Sequence, residues 1–391
     1  MAADGRKKVM YITPEMKQYI LDSQDEIKKI TKELSLIPAP SHFEDERAAY
    51  CKEWFENAGF PEVFIDEAKN VVCPVNDDGK KPIVVFMAHT DTVFPDTEYP
   101  MPFEERDGKY FSPGVTDDTA NLAVLMVAAR YFVQKKAESE TAMLFVANSC
   151  EEGLGNLKGS KAIVANYGSR IKNFISFDGS VLNKITNKAV GSHRYRVVVK
   201  TEGGHSFSKF GNRNAIRCMA SMIDTLYSVK VPEVDGSKTT YNVGSISGGT
   251  SVNTIAQEAT MLYEYRSDNR ECLAKMEKMF NAVVEAYRAT GIEVEVEKIG
   301  DRPCSGDIDP DAFKELTDRT WKAIEEITGL EPFFISGSTD CNSSLSVGIP
   351  SVCIGVCKGF GAHTRGEWLD LASLVPGGNL AIELMAGYFK A

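Results

Sequence analysis

The sequence has 391 residues, of which 43% are hydrophobic and 25% charged, and its formal net charge is -11 at pH 7. This length predicts two domains, and the acidic balance argues against nucleic acid or an anionic membrane as the main partner. No apolar run approaches the roughly 18 residues of a membrane span, and no hydrophobic signal core follows the N-terminus. Nine cysteines without Cys-x-x-Cys spacing favour a reducing, cytoplasmic location.

The first part of the chain predicts two helices followed by short strands. Apolar spacing predicts an amphipathic helix over residues 14–36. Ser41 with Glu44 fits a capping box at the start of a second helix, which ends at about residue 58. Two short strands are then predicted over residues 63–66 and 71–75.

Residues 83–88 form an unbroken apolar run, which is typical of a strand buried on both faces of a parallel sheet. His89 and Asp91 follow this strand directly, at the sheet edge where open α/β folds bind their ligands. Their spacing suits a metal-bound imidazole that is held by a carboxylate. The motif alone is weak evidence, because a histidine satisfied in a turn is the more common explanation for it.

Further acidic and imidazole residues stand beside predicted elements of the same α/β pattern. The Asp117-Asp118 pair opens a helix over residues 117–132, and could simply cap it. Glu151-Glu152 follows a strand at 141–147, where two adjacent carboxylates repel each other unless a cation or solvent neutralises them. Asp178 follows a strand at 174–177, and His363 lies some residues after a strand at 351–355. A turn and a loop are the alternatives for these two.

Residues 186–300 have a different pattern of predicted elements, with the order β-α-β-β-α-β of a ferredoxin-like unit. The α/β pattern resumes with a helix over 310–327, strands at 332–335 and 351–355, and a helix that begins at Asn379. We therefore predict an α/β fold with a mostly parallel sheet flanked by helices, interrupted by an inserted α+β domain. The expected boundaries are 1–185 with 301–391 for the discontinuous domain, and 186–300 for the insertion.

Two histidines and several carboxylates at one sheet edge are the ligands that a pair of divalent cations needs, with one carboxylate bridging them. Nitrogen and oxygen donors without thiolate suit zinc, and also cobalt or manganese. A free carboxylate beside the ions can take a proton from water and deliver it to a leaving amine. In a Glu-Glu pair, one residue can ligate while its neighbour acts as the base.

The order and spacing of these motifs resemble the metallopeptidase family M20, and most of all its peptidase T and carboxypeptidase G branch. The resemblance rests on His89-Thr-Asp91, Asp117-Asp118, Glu151-Glu152-Gly153, Phe177-Asp178 and His363. Ile37-Pro-Ala-Pro-Ser41 and the inserted domain match as well, so the resemblance covers nearly the whole chain. It implies a zinc-peptidase type of α/β fold with a ferredoxin-like lid and dimerisation domain.

The resemblance also implies a role for each matching residue. One metal would be held by His89 and Asp178, the other by Glu152 and His363, and Asp117 would bridge the two, with a cis peptide bond to Asp118. The catalytic residues would be Glu151 as general base and acid, Asp91 as the residue that orients His89, and His205 in the lid. The substrate carboxylate would meet Asn253 and Arg266. A homodimer through the inserted domain is implied too, with His205 acting in its own chain or in the partner.

The chain departs from the family pattern at Thr119-Ala120-Asn121, where a lysine and a glycine are usual, and only approximates it at Ser338-Thr339-Asp340. These departures leave the substrate open. The alternatives are an amide hydrolase for short peptides, an N-acyl amino acid deacylase or carboxypeptidase, and a non-catalytic binding protein. The retained Glu151 counts against the last, because a pure binding protein has no need of a base.

Overall fold

The computed structural model describes residues 10–234 and 236–390. The chain divides into two compact units. The first comprises the chain up to Asn187, Asp307–Ile335 and the chain from Thr339 onward, and the second comprises Lys188–Gly306 with Ser336–Ser338. Among the described residues, no helix has the length and apolar character needed to cross a membrane.

The described residues form ten α-helices and eighteen strands. The helices are α1 Pro14–Asp22, α2 Gln24–Leu36, α3 Asp45–Asn57, α4 Ala120–Gln134, α5 Lys158–Tyr167, α6 Ala215–Tyr227, α7 Arg270–Ala289, α8 Pro310–Thr328, α9 Cys341–Ser346 and α10 Leu374–Ala386. The strands are β1 Phe64–Ile65, β2 Val71–Val75, β3 Ile83–His89, β4 Glu104–Arg106, β5 Lys109–Phe111, β6 Ala142–Asn148, β7 Ile171–Phe177, β8 Lys184–Ala189, β9 Gly191–Lys200, β10 Gly204–His205, β11 Thr239–Gly248, β12 Thr254–Ile255, β13 Glu258–Ser267, β14 Glu293–Arg302, β15 Phe333–Gly337, β16 Ser351–Ile354, β17 Gly359–Phe360 and β18 Trp368–Asp370.

The first unit is built on an eight-stranded sheet with the order β1-β2-β6-β3-β7-β16-β8-β15. Its centre, β6-β3-β7-β16, is parallel, whereas β2 and β8 join this centre in the antiparallel sense. Every residue of β3 and β6 is buried, so helices cover both faces of these strands. Two of the four boundaries between the units fall within β8 and β15, and the other two lie after Gly306 and after Ser338. The predicted fold class is confirmed.

The second unit is a four-stranded antiparallel sheet with the order β11-β13-β9-β14, which two helices cover. Helices α6 and α7 pack their apolar sides against this sheet to form a separate core. This order is the ferredoxin-like arrangement that the β-α-β-β-α-β pattern predicts. His205 lies in a separate two-stranded antiparallel ladder, which β10 and β12 form.

Some predicted helix boundaries are wrong, for physical reasons. The helix expected over residues 14–36 is two helices, because Ser23 leaves the helical conformation between α1 and α2. Helix α10 begins at Leu374 rather than at Asn379. Pro376 is tolerated there because the first turn of a helix needs no partner for its N–H groups.

Candidate metal centre

All four parallel strands of the first unit lead into residues of the predicted site. His89 is the last residue of β3, Glu151 and Glu152 follow β6, and Asp178 follows β7 directly. His363 lies farther along the chain after β16, in the loop between β17 and β18. Because the carboxyl ends of parallel strands meet at one edge of a sheet, these side chains converge.

Asp117 lies between the two histidines. The Nε2 atom of His89 is 3.1 Å from Oδ1 of Asp117, and the Nε2 atom of His363 is 3.1 Å from Oδ2 of the same carboxylate. The His363 Nε2 atom is also 3.1 Å from Oε1 of Glu152. Each oxygen of Asp117 therefore faces a different imidazole.

Three groups of side chains in the described chain could hold a metal ion, each with ligand atoms within 4.8 Å of one another. Two of them share Asp117, and the third contains Glu151. The groups are His89 with Asp117 and Asp178, Asp117 with Glu152 and His363, and His89 with Glu151 and Glu152. A carboxylate common to two groups is the arrangement that a pair of neighbouring ions requires.

The electrostatics of the cluster favour a bound cation. Burial, and then the charge of Asp117, raise the pKa values of both Asp178 and Glu152. Burial acts in the same sense on Asp117, but hydrogen bonds with His363 and His89 lower the pKa of this carboxyl below its usual range. Divalent cations would neutralise this crowded negative charge, and imidazole with carboxylate suits zinc, cobalt or manganese. The residues present therefore fit such ions.

Asp91 organises more of the site than the sequence predicts. The Nδ1 atom of His89 is 3.0 Å from the backbone oxygen of Asp91 and 3.4 Å from its Oδ1 atom. The Asp91 carboxylate accepts hydrogen bonds from the backbone N–H groups of Glu151 and Glu152, at 2.9 and 3.0 Å. Asp91 thus holds the Glu-Glu loop as well as the imidazole of His89.

The capping role predicted for Ser41 is wrong. Helix α3 begins at Asp45, with Glu44 at the N-cap position. The Ser41 hydroxyl instead donates to Oδ2 of Asp91 at 2.6 Å. This contact joins residues 50 positions apart in the sequence, so a local capping pattern could not reveal it.

Asn121 holds the turn that carries Asp117, although the sequence marks it only as a departure from the family pattern. The peptide bond between Asp117 and Asp118 is cis, as the family resemblance implies. The buried Asn121 amide donates to the oxygens of Thr116, Asp118 and Gly179 at 3.0, 2.7 and 3.1 Å. Its Oδ1 atom accepts from the N–H of Val356 at 2.8 Å. Asn121 therefore joins this turn to the ends of β7 and β16.

Arg47 is a second residue that the sequence analysis did not assign to the site. Its guanidinium is almost completely buried. It donates to the backbone oxygens of Ile37 and Thr90, both at 2.9 Å, and to the Thr119 hydroxyl at 3.2 Å. Burial lowers the pKa of Arg47 to about 10. An arginine on an amphipathic helix is normally interpreted as solvent-facing, so this buried contact could not be predicted from the local pattern.

The other predicted site residues lie in the second unit. His205 is exposed on β10, and the Ser206 N–H donates to the backbone oxygen of Asn253 at 2.9 Å. His205 and Asn253 therefore lie together, beyond the amino end of β13. Arg266 is near the other end of β13, about 26 Å along the strand at the usual rise per residue. Its guanidinium contacts both oxygens of Glu264 at 3.0 Å.

Comparison with known protein families decides the classification. The model of peptidase family M20/M25/M40 matches residues 85–386, which is well over half of the chain. The chain belongs to this family. It is therefore a hydrolytic enzyme of a peptidase family whose members depend on two metal ions, and the predicted family resemblance is confirmed.

The similar proteins include both peptidases and deacylases. Peptidase T of Geobacillus thermodenitrificans is 24% identical over 84% of this chain and 87% of its own length. Succinyl-diaminopimelate desuccinylase of Bordetella bronchiseptica is 25% identical over 75% of this chain and 80% of its own length. The crystal structure of a tripeptidase from Staphylococcus aureus shares the fold, with a TM-score of 0.74 and 24% identity over 93% of this chain and 98% of that one.

Proposed function

We propose that this M20 enzyme is a cocatalytic di-metal hydrolase that cleaves the amide bond of short peptides, as an aminopeptidase or tripeptidase does. The observation that carries the proposal is the pair of ligand groups that share Asp117. The similarity to peptidase T and to a tripeptidase supports short peptides as the substrate class.

In this proposal His89 and Asp178 would hold one ion, Glu152 and His363 would hold the other, and Asp117 would be a ligand common to both. The ions, when bound, would supply Lewis-acid activation of water and of the scissile carbonyl, with zinc favoured and cobalt or manganese as alternatives. Glu151 takes the proton of the attacking water and returns it to the leaving amine. Asp91 supports this step because its carboxylate accepts the Glu151 N–H.

The second unit supplies substrate contacts in the same proposal. The exposed His205 helps to polarise the scissile carbonyl, and Arg266 binds a substrate carboxylate, for which its bidentate fork is suited. Asn253 lies beyond the opposite end of β13, so it would reach the same carboxylate only from a second copy of the chain. Arg266 would have to exchange its Glu264 partner for the substrate.

A homodimer through the second unit is proposed as well. Within the part of the chain that the structure describes, β11 pairs with β13 alone, so its other edge is available to a second copy. The cytoplasmic location favoured by the cysteine pattern remains a prediction.

A second candidate function is the deacylation of N-acyl amino acids by the same residues. The similarity to succinyl-diaminopimelate desuccinylase favours it. Both candidates use the same metal ligands and the same base, so the residues of the metal centre do not separate them.

A substrate panel tests the two candidates. The chelator-treated enzyme is reloaded with zinc, cobalt or manganese and is given di- and tripeptides, N-acetyl amino acids and N-succinyl amino acids. We expect metal-dependent cleavage of the peptides, with the Glu151→Gln variant as the background control. Cleavage confined to the acyl amino acids would replace the first candidate by the second. No turnover of any substrate with any metal would contradict both.

A further inference from the structure

One buried carboxylate joins the turn that carries Asp117 to the loop that carries His363. Oε1 of Glu367 accepts hydrogen bonds from the N–H and the hydroxyl of Thr116, both at 2.7 Å, and from the N–H of Asp117 at 3.0 Å. Its Oε2 atom accepts from the N–H of Gly114 at 2.8 Å. The carboxylate thus fixes the backbone of the residue that faces both histidines.

The packing around these hydrogen bonds leaves the turn little freedom. Glu367 is fully buried, and three of its four hydrogen-bond donors are backbone N–H groups of this one turn. Gly114 has a φ of 75°, which an L side chain rarely adopts. A Cβ atom at Gly114 would lie 2.5 Å from the Thr92 methyl group, so the turn cannot easily take another shape.

Glu367 is close in sequence to His363, and its own N–H donates to the Thr364 oxygen at 3.3 Å within that loop. The hydrogen bonds of Glu367 therefore span residues 250 positions apart, from Asp117 to the His363 loop. His89 and Asp178, in contrast, are placed by the ends of β3 and β7. Glu367 therefore constrains the position of Asp117 relative to His363 more than its position relative to His89.

We propose that Glu367 is a positioning residue that fixes Asp117 relative to His363, and that it sets the affinity of the ion held by Glu152 and His363 more than that of the other ion. The inference rests on the proposed di-metal function. Outer contacts that orient metal ligands typically change metal affinity by about 10- to 100-fold when they are lost.

The test is a zinc titration of the chelator-treated Glu367→Gln variant, read by calorimetry rather than by activity. The amide would direct an N–H donor at a backbone N–H group, so we expect the zinc equivalent that His363→Ala removes to lose about tenfold or more in affinity. The other equivalent should stay close to its wild-type value. Glu383→Gln is the matched control, because Glu383 is also buried and accepts two backbone N–H groups, from Tyr11 and Ile12.

The possible outcomes are distinct. If wild type binds two equivalents and Glu367→Gln binds both with unchanged affinity, the positioning role is wrong. The same conclusion follows if Glu383→Gln weakens the equivalent that His363→Ala removes to the same extent. If wild type itself does not bind two equivalents, the proposed function fails first. Thr116→Val removes one hydrogen bond and keeps the carboxylate, so it should weaken the same equivalent by about three- to tenfold even if Glu367→Gln does not fold.

Discussion

Glu151 and Glu152 are adjacent and buried and share one group of ligand atoms with His89, but only Glu152 also belongs to a group that contains Asp117. Glu152 joins Asp117 and His363, whereas Glu151 is grouped only with Glu152 and His89. This difference supports one glutamate as ligand and its neighbour as base. Glu151→Gln should therefore retain both metal ions and lose about 100-fold or more in kcat, as expected when general acid–base catalysis is removed. Metal content and turnover are measured on the same preparation, and near-normal kcat with full metal content would end the assignment.

His193 gives the second unit a specific dependence on pH. Burial lowers the pKa of His193 below its usual value, Lys298 acts in the same sense, and Asp301 and Glu277 oppose them. Its Nδ1 atom is 2.8 Å from the Tyr265 hydroxyl. Because the unfolded chain takes up this proton at a higher pH than the folded chain, the stability that neutral His193 contributes is present above about pH 6.5 and is lost as the pH falls below it.

The variant His193→Gln removes this titration and tests it. The free energy of unfolding is measured in urea at about pH 7.5 and about pH 5.5 for wild type and variant. We expect the advantage of wild type over the variant to be larger at the higher pH. A difference that is constant, or that grows towards acid pH, would show that the folded chain does not disfavour the proton on His193.

Single residues were predictable where their position in an element defines their role. His89 and Asp178 stand directly at strand ends, and the pattern of apolar runs places them at the sheet edge. Asn121, Arg47 and Glu367 were not predictable in the same way. Their roles depend on partners that are distant in sequence, and buried polar side chains are recognised only when those partners are known.

At the scale of elements, helix α10 shows how close packing overrides local signals. A Cβ atom on Gly377 would lie 1.7 Å from the Val356 backbone oxygen, and one on Gly378 would lie 2.6 Å from the Ile20 side chain. The Pro376-Gly-Gly run predicts a helix that starts after it. The two glycines nevertheless lie inside α10, where their close neighbours leave no room for a larger residue. The element is determined by its neighbours rather than by its own propensity.

Gly377→Ala should therefore destabilise the protein by about 1–3 kcal/mol, the usual effect of overpacking, although alanine is the better helix former. Gly168→Ala is the control, because Gly168 has helical backbone angles and only an ordinary contact with Val164. The free energies of unfolding of both variants are compared with wild type. Equal or higher stability of Gly377→Ala would contradict the packing at this position.

Elements with clear apolar periodicity and clear caps were predicted well. Helices α6 and α7 are the two helices of the predicted β-α-β-β-α-β unit, and the side chains of Asn214 and Asn269 accept hydrogen bonds from N–H groups in the first turn of each. The strand order of both sheets was predictable only as a class, because register depends on contacts between distant residues. Helix α4 begins at Ala120, after the irregular turn that carries Asp117 and Asp118.

At the scale of the whole molecule, the proposed homodimer raises the question of which chain supplies His205. If His205 serves the partner, Glu151→Ala and His205→Ala chains are each inactive alone, but a mixed dimer has one site with both residues intact. Random exchange makes about half of the dimers mixed, so about a quarter of wild-type activity should return. Activity is measured after exchange has been verified by mass or tag capture. Exchange without recovery would mean that His205 acts within its own chain or has no catalytic role.

A zinc titration tests whether the edge of the parallel sheet holds two catalytic metal ions through a shared Asp117. The chelator-treated wild-type protein is titrated while binding stoichiometry and peptidase activity are followed together. We expect two equivalents per chain, with activity rising as the pair is completed, and the loss of both the second equivalent and the activity in Asp117→Ala. Full activity in the metal-free protein, or two equivalents bound undiminished by Asp117→Ala, would contradict the shared metal site.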